Sequence, residues 1–287
     1  MTTDTTTSQQ RVPAESSRPV PLSLRSIGLK TLRDQRQSLF WWTSGTFILS
    51  AIMIMLYPSI DGGAEIEALF EQLPGPIQAM IGEEIDLSSA AGYLDIRMFG
   101  TIAPLLFLVY AIGRGNAAVA GEESRGTLDL LLAHPVKRWR IIIEHALAIG
   151  VGLSVISLAL WGGLVAGAGV VDVEFDWSAA ALATAMSGLL GMAYGALALA
   201  LGSQTGNPGI AIGVSAAAGI GLFFLHSLAP LVDWLEPARV LSPFYYAVGH
   251  SVMLDGFNLP YALILIGLSI GLIGIATIAF SRRDIRI

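Results

Sequence analysis

Six apolar runs, each long enough to cross a lipid bilayer as a helix, constrain this sequence more than any other feature. A helix needs about 20 apolar residues to span the roughly 30 Å hydrocarbon core, and lipid forces each segment to satisfy its backbone hydrogen bonds internally. Only 13% of the residues are charged, whereas about 25% is usual in soluble domains. The sequence therefore predicts an all-α membrane protein with six transmembrane helices, at residues 39–60, 98–120, 141–171, 177–201, 208–231 and 261–280.

Basic residues predict how the chain is oriented. Of the 16 Lys and Arg residues, all but Arg97 and Arg239 lie before the first span, near the end of span 2 (Arg114) or in the connection after it, or after the last span. Such residues accumulate on the cytoplasmic side of multi-pass proteins. We therefore expect both termini and the second connection to be cytoplasmic.

Residues 1–21 differ in composition from the rest of the chain. They are rich in Thr, Ser, Gln and Pro and contain little that a core could bury. This composition predicts a disordered cytoplasmic tail, followed by a single six-helix transmembrane domain at residues 22–287.

A cationic segment precedes the first span. Leucine and isoleucine recur there at roughly helical spacing, interspersed with Arg25, Lys30, Arg33 and Arg36. The pattern predicts an N-terminal interfacial helix on the inner membrane surface, with the chain turning into the membrane at two tryptophans, Trp41 and Trp42. A solvated juxtamembrane segment is the alternative.

Glycine pairs four residues apart recur in the spans. This spacing lets membrane helices approach closely, because their association depends on packing. The pairs are Gly163 and Gly167, Gly191 and Gly195, Gly209 and Gly213, and Gly267 and Gly271.

The apolar cores of the six spans, residues 39–60, 98–113, 146–170, 178–201, 209–229 and 261–280, contain no Asp, Glu, Lys or Arg. An ion-driven carrier normally needs ionisable groups at that depth, so the chain lacks the parts to capture ion-gradient energy. It also lacks a G-x-x-x-x-G-K-[ST] loop, so it does not bind ATP through a P-loop of its own. His226 and His250 have no thiol or clustered carboxylate partners in the pattern, which predicts no metal site.

A dense charged insert, residues 121–140, separates spans 2 and 3. Thr127 can cap a short helix, an apolar stripe follows, and Pro135 ends it. The stripe consists of Leu128, Leu131 and Leu132, and the charged flanks include Glu122, Glu123, Arg125 and Arg138. From the residues alone, the insert is either a handle by which another protein moves the spans or a surface helix resting on lipid headgroups.

Three segments resemble those of the ABC type 2 permease family. "EESRGTLDLLLAHPVKRWRIII" resembles its cytoplasmic coupling segment, "LSPFYYAVGHSVMLDG" its outer loop before the last span, and "AFSRRDIRI" its C-terminal end. The resemblance implies the non-catalytic permease subunit of an ATP-driven exporter in a prokaryotic plasma membrane. It implies two copies of an ABC ATP-binding subunit, which bind ATP and Mg, together with a second copy of the permease or a related one. Membrane lipid is the remaining partner, and nucleic acid is not expected.

The same resemblance assigns roles to residues of a cytoplasmic coupling helix between spans 2 and 3. Glu122 and Glu123 would sit against the ATPase, and the interfacial helix would flank the same contact. Gly126 and Thr127 would begin the coupling helix, which Pro135 and Arg138 would close. The implied contact with the ATPase comprises Glu122, Glu123, Arg125, Gly126, Thr127, Leu128, Leu131, Leu132, Pro135 and Arg138.

The stretch between spans 5 and 6 is apolar enough to form a re-entrant outer segment. The resemblance implies that Phe244, Tyr245 and Tyr246 line an outer gate, whereas an aromatic belt at the interface accounts for the same residues. Two other functions stay open at this point. One is an ATP-independent carrier or channel, which the uncharged spans disfavour. The other is an intramembrane lipid-modifying enzyme, although no acidic or histidine cluster has a spacing that suits acid–base or metal chemistry.

Overall fold

The computed structural model describes residues 27–59, 89–124 and 138–283. Six of the helices in these residues carry segments long and apolar enough to cross a membrane, and the described residues contain no β-strand. The predicted all-α fold with six candidate membrane helices is confirmed. The α-helices are α1 (Ile27–Leu56), α2 (Ala90–Ala118), α3 (Ala120–Ser124), α4 (Arg138–Val171), α5 (Trp177–Thr205), α6 (Pro208–Leu228), α7 (Pro243–Ala247) and α8 (Leu259–Arg282).

Helix α5 lies at the centre of the bundle. In its most apolar stretch 72% of the residues are buried, against 17% in those of α1 and α6. It packs against α2, α4, α6 and α8, while α1 packs along α4. The many alanines and glycines of α5 permit this, because small side chains let several helices approach one backbone.

Two of the predicted glycine pairs lie at close helix contacts. Gly191 and Gly195 of α5 face α2, and Gly163 and Gly167 of α4 face α1, so closely that an added Cβ would press on the neighbouring helix. By contrast, an added Cβ on the glycines of the α8 pair would meet no described atom within 4 Å. Glycine spacing therefore permits close packing, and the positions of neighbouring helices decide where it is used.

Helix α1 corrects one expectation from the sequence. Instead of an interfacial helix that ends in a turn at Trp41 and Trp42, one continuous helix runs through both tryptophans. The physical reason is local, since residues 29–44 contain neither glycine nor proline and nothing interrupts the helical hydrogen bonds. Of the predicted cationic residues, Arg36 is exposed, Lys30 and Arg33 are backbone positions of α1, and Arg25 lies outside the described residues, as does the predicted tail.

Helix α2 begins eight residues before the predicted start of span 2. Ser89 caps it, because its hydroxyl accepts a hydrogen bond from the Gly92 N–H at 3.1 Å. The wider π-helical geometry then runs from Asp95 to Ile102. Asp95 and Arg97 lie in this part, and their charges are the reason that hydropathy placed them in a loop.

Candidate functional site

The structure describes both flanks of the predicted coupling segment. Glu122 and Glu123 lie in the short helix α3, and Arg138 is the first residue of α4. Between these flanks, the predicted contact residues Arg125, Gly126, Thr127, Leu128, Leu131, Leu132 and Pro135 lie outside the described residues.

Glu123 is bound by an arginine at the far end of the chain. The Arg283 guanidinium donates two hydrogen bonds to the Glu123 carboxylate, from Nη1 to Oε2 at 2.8 Å and from Nη2 to Oε1 at 2.7 Å. The side chains of Arg283 and Glu123 are only 23% and 28% exposed. Bidentate, partly buried pairs of this kind are stronger and more directional than single contacts at the surface. The pair therefore ties α3 to the end of α8.

The Arg138 side chain binds the backbone of Arg283. Its Nη1 donates to the Arg283 carbonyl oxygen at 2.8 Å and more weakly to the Phe280 carbonyl at 3.5 Å. The last carbonyls of a helix lack partners within the helix, and their partial negative charge favours a cation there. The start of α4 is thus fixed to the end of α8.

Gly206 completes this group of residues. It follows α5 in the left-handed conformation, at φ +63°, where glycine pays no steric cost. A Cβ at this position would also collide with the Arg283 guanidinium and the Glu123 carboxylate. Glu123, Arg138, Gly206 and Arg283 are called the Arg283 cluster below, and this end of the bundle the Arg283 end.

A second charged group lies beside the cluster, on α4. His145 is buried, and its Nδ1 lies 2.8 Å from the Ile141 carbonyl oxygen. Glu122 of α3 is close enough to act electrostatically on this ring. Arg140 donates from Nε to Glu144 Oε1 at 2.6 Å. The two neighbouring glutamates of α3 therefore act on different elements, since Glu123 binds Arg283 at the end of α8 and Glu122 lies within electrostatic range of His145 on α4.

The opposite end of the bundle holds the predicted gate residues. Phe244 of α7 is fully buried, with its ring centroid 5.4 Å from that of Phe223 and 5.8 Å from that of Tyr194. Ser242 caps α7, and its hydroxyl donates to the Leu222 carbonyl of α6 at 2.8 Å. Phe244 is thus part of the core packing at what is called the Phe244 end below.

Tyr245 and Tyr246 lie nearer the surface, in an aromatic group with Tyr261. Their ring centroids are 5.2 to 5.7 Å apart. The Tyr246 hydroxyl donates to the Val240 carbonyl at 2.8 Å. The Arg239 guanidinium lies 5.4 Å from the centre of the Tyr245 ring, within cation–π range.

The two histidines singled out in the sequence are in separate settings. His226 accepts a hydrogen bond at Nδ1 from Arg239 Nε at 3.3 Å, and His250 Nδ1 lies 3.6 Å from an Asp255 carboxylate oxygen. Among the described parts of the chain, no three His, Cys, Asp or Glu residues form a group that could hold a metal ion.

Sequence reasoning missed the roles of Arg283 and Gly206. Arg283 was noticed only as part of the C-terminal "SRRD", and nothing in the sequence separates it from the adjacent Arg282. Gly206 carried a usable signal, because "TGNP" combines a glycine at a helix end with an Asn-Pro start of the next helix.

One comparison with known proteins identifies a family. The model of the family "Multidrug efflux system permease Rv1217c, C-terminal domain" matches residues 25–281. No curated protein matches the chain significantly. The matched range covers all six candidate membrane helices except the last residue of α8.

Proposed function

The chain belongs to the family of the multidrug efflux system permease Rv1217c, C-terminal domain, and on this premise we propose that it is the membrane subunit of an ATP-driven exporter of the ABC type 2 kind. In this proposal a separate ABC ATPase, present in two copies, binds ATP and Mg. The permease pairs with a second copy or a related permease in a prokaryotic plasma membrane, and the segment between α3 and α4 receives the ATPase.

One observation carries the proposal. Glu123, just before the segment, and Arg138, just after it, both bind Arg283 at the end of α8. A force on either flank therefore reaches the last membrane helix through short contacts. Gly206 places the end of α5, the central helix, against the same ion pair.

The need for a partner follows from what the sequence does not contain. The chain has no P-loop, and the apolar cores of its spans carry no charge for an ion gradient to act on. A partner can shift the bundle between two conformations only if it binds one of them more tightly. In the proposal the charged segment between α3 and α4 supplies a surface for such binding, and the positive-inside pattern supports a cytoplasmic location for it and for both termini.

The Phe244 end supports an outer re-entrant segment within the same proposal. The Ser242 hydroxyl binds the Leu222 carbonyl, a residue six positions before the end of α6, and Phe244 packs on Tyr194 of the central helix. The chain after α6 therefore folds back along the bundle. In the proposal this segment closes the outer side of the path, with Tyr245 and Tyr246 at its rim.

Cross-linking tests the proposed partner. The sequence contains no cysteine, so Ser124→Cys places one reactive group at an exposed position beside the segment. Ser59→Cys, exposed just beyond α1, is the matched control. Each variant is expressed with a candidate ABC ATPase and cross-linked in membranes, and its adducts are identified by mass spectrometry.

The expected result is capture of the ATPase from position 124 and not from position 59. Absence of ATPase at position 124 in a chain that still transports would overturn the proposal. Transport without ATP in the same vesicles would then favour an ATP-independent carrier.

A further inference from the structure

Helix α6 is joined to the bundle along one narrow stripe, and the rest of its surface is exposed or half-buried. At Gly219 the approach is so close that an added Cβ would press on Leu108 of α2 and contact Tyr194 of α5. Ser215, about one turn before Gly219, is fully buried on the same face. The contact surface is called the α6 seam below, and its residues are Ala211, Ser215 and Gly219 of α6, Gly202 and Tyr194 of α5, and Leu108 of α2.

Two hydroxyl groups of the seam, those of Tyr194 and Ser215, are buried without a hydrogen-bond partner in the part of the chain that the structure describes. The two residues are 2% and 0% exposed. By contrast, Thr184 of α5 and Ser269 of α8 are also buried, yet each hydroxyl donates to the carbonyl oxygen one turn earlier, at 2.7 and 2.8 Å. An unpaired buried hydroxyl costs free energy. The closed seam therefore contains two polar groups that are available to a bound molecule.

The Tyr194 ring connects the seam with the Phe244 end. It lies against Gly219 of α6, and its centroid is 5.8 Å from that of Phe244. At the other end, Gly202 lies one turn before Gly206 of the Arg283 cluster. The seam therefore runs between the Arg283 cluster and Phe244 inside a single chain.

The lining of the seam disfavours a charged ligand. The stretches of α2, α5 and α6 that form it, residues 103–113, 190–202 and 208–222, contain no Asp, Glu, Lys or Arg, so a charged molecule would lose its hydration without gaining a counter-ion. A wholly apolar molecule would leave both hydroxyls unpaired. From Ala211 to Gly219 the seam is roughly 12 Å long, at about 1.5 Å per helical residue. The complementary ligand is therefore a small, uncharged, largely apolar molecule with a hydrogen-bonding oxygen or nitrogen.

We propose that the α6 seam binds such a molecule when α6 moves away from α5 and α2, with the Tyr194 and Ser215 hydroxyls as its hydrogen-bonding groups. A ligand that binds only the open arrangement shifts the equilibrium towards it. The inference deepens the proposed function, on which it rests for the export of the bound molecule. Binding itself is measured on the permease without an ATPase, so a failure of the ATPase cross-link and a failure of binding are separate results.

Photolabelling with benzophenone tests the binding site. Benzophenone is uncharged and apolar, its carbonyl oxygen accepts a hydrogen bond, and near-ultraviolet light couples it to neighbouring C–H groups. The full chain is labelled in phosphatidylcholine vesicles, and the adducts are mapped by mass spectrometry. We expect adducts at residues 211–219 of α6, with a loss of about threefold or more in Tyr194→Phe and in Ser215→Ala, the size of one hydrogen bond. Ser269→Ala, the matched change at a buried serine of α8 outside the seam, should leave them unchanged.

Two outcomes of the labelling would overturn the proposal. One is an adduct density at residues 211–219 that is no higher than at the exposed residues of α8. The other is labelling of these residues that is equal in the unaltered chain and in Tyr194→Phe.

Thermal unfolding in detergent distinguishes a binding role of Ser215 from a structural one. Ser215→Ala and Ser269→Ala make the same change in helix propensity, but of these two only Ser269→Ala removes a hydrogen bond that the folded chain makes. Ser215→Ala should therefore unfold at the higher temperature while it loses benzophenone labelling. A lower unfolding temperature for Ser215→Ala would show that its hydroxyl stabilises the closed chain, which contradicts the proposal.

Discussion

The Arg283 end of the bundle is joined by charged groups, whereas the Phe244 end is joined by aromatic rings. At the first end, a carboxylate and two guanidinium groups link α3, α4 and α8. At the second end, the Phe244 ring packs between α5 and α6. The Tyr246 hydroxyl donates a hydrogen bond to the Val240 carbonyl, which joins α7 to the chain just before it. Ionic contacts can be exchanged for contacts with another protein or with water, but a buried ring cannot leave without opening a cavity. We therefore expect the contacts at the Arg283 end to be the ones that a partner protein or water can replace.

The largest expected effect on stability is at the Phe244 end. Phe244→Ala removes a fully buried ring, and such substitutions cost about 3–5 kcal/mol. The measurement is thermal unfolding of the detergent-solubilised protein. Phe224→Ala is the matched control, since Phe224 is 54% exposed on α6 and should change the unfolding temperature little. Equal effects of the two substitutions would mean that the buried Phe244 ring does not hold this end of the bundle together.

A smaller loss is expected at the Arg283 end from Gly206→Ala. The substitution forces a side chain into a left-handed conformation at φ +63°, which costs about 1–2 kcal/mol, and it pushes the Glu123–Arg283 pair apart. Gly213→Ala is the control of opposite sign. An added Cβ there meets no described atom within 4 Å, and alanine is favoured over glycine in a helix by about 0.5–1 kcal/mol. If Gly206→Ala instead raises the unfolding temperature, as Gly213→Ala is expected to, the cluster does not depend on Gly206.

Tyr246→Phe separates hydrogen bonding from ring packing at the Phe244 end. It removes one hydrogen bond to the Val240 carbonyl, which is worth about 1 kcal/mol, and retains the ring. The unfolding temperature should fall less than for Phe244→Ala. A fall as large as that of Phe244→Ala would mean that this end is held by polar contacts after all.

The smallest effect is a dependence of stability on acid at the start of α5. The Ser178 hydroxyl donates a hydrogen bond to the Asp176 carboxylate, and this bond is the main reason that the pKa of Asp176 is lowered. The backbone N–H groups of Ala179 and Ser178 also donate to the carboxylate and lower its pKa by smaller amounts. A lowered pKa in the folded state means that the stabilisation is present above the pKa of an unfolded Asp, about 3.9, and is lost as the pH falls through the lower folded value. Thermal unfolding should therefore show a stability difference between the unaltered chain and Asp176→Ala at pH 6 that shrinks below about pH 4. A difference that grows in acid would reverse the assigned sign.

Hydropathy alone was enough to predict the six membrane helices and their order. Each span must bury its own backbone polar groups in a helix, so a long apolar run leaves few alternatives. The starts of helices were less predictable. The charges of Asp95 and Arg97 lowered the hydropathy of the first turns of α2, so the predicted span began too late. Trp41 and Trp42 suggested a turn at the membrane interface, but α1 continues through both residues as one helix.

The contacts of the candidate site were beyond sequence reasoning. Glu123 was singled out for its place in the coupling segment, yet its partner lies 160 residues away. Choosing Arg283 over Arg282 requires the packing of α3 against the end of α8, which periodicity does not give. In the same way, the sequence marked Phe244 as a gate residue, and only the arrangement of α5, α6 and α7 reveals that its ring is buried. The glycines of α5 and α8 have the same spacing, but only those of α5 meet a neighbouring helix.

A charge exchange between Glu123 and Arg283 tests the central proposal, that the segment between α3 and α4 acts on the bundle through this pair. ATP-dependent efflux of a fluorescent drug is measured in membrane vesicles that contain the chain and the ABC ATPase proposed to be its partner. Glu123→Arg and Arg283→Glu should each reduce transport on the order of tenfold, the size of an ordinary coupling free energy between sites. The double variant should recover a large part of it, and Arg282→Glu, at the neighbouring exposed position, should transport normally. Full transport by either single variant of the pair, or no recovery in the double variant, would contradict the account.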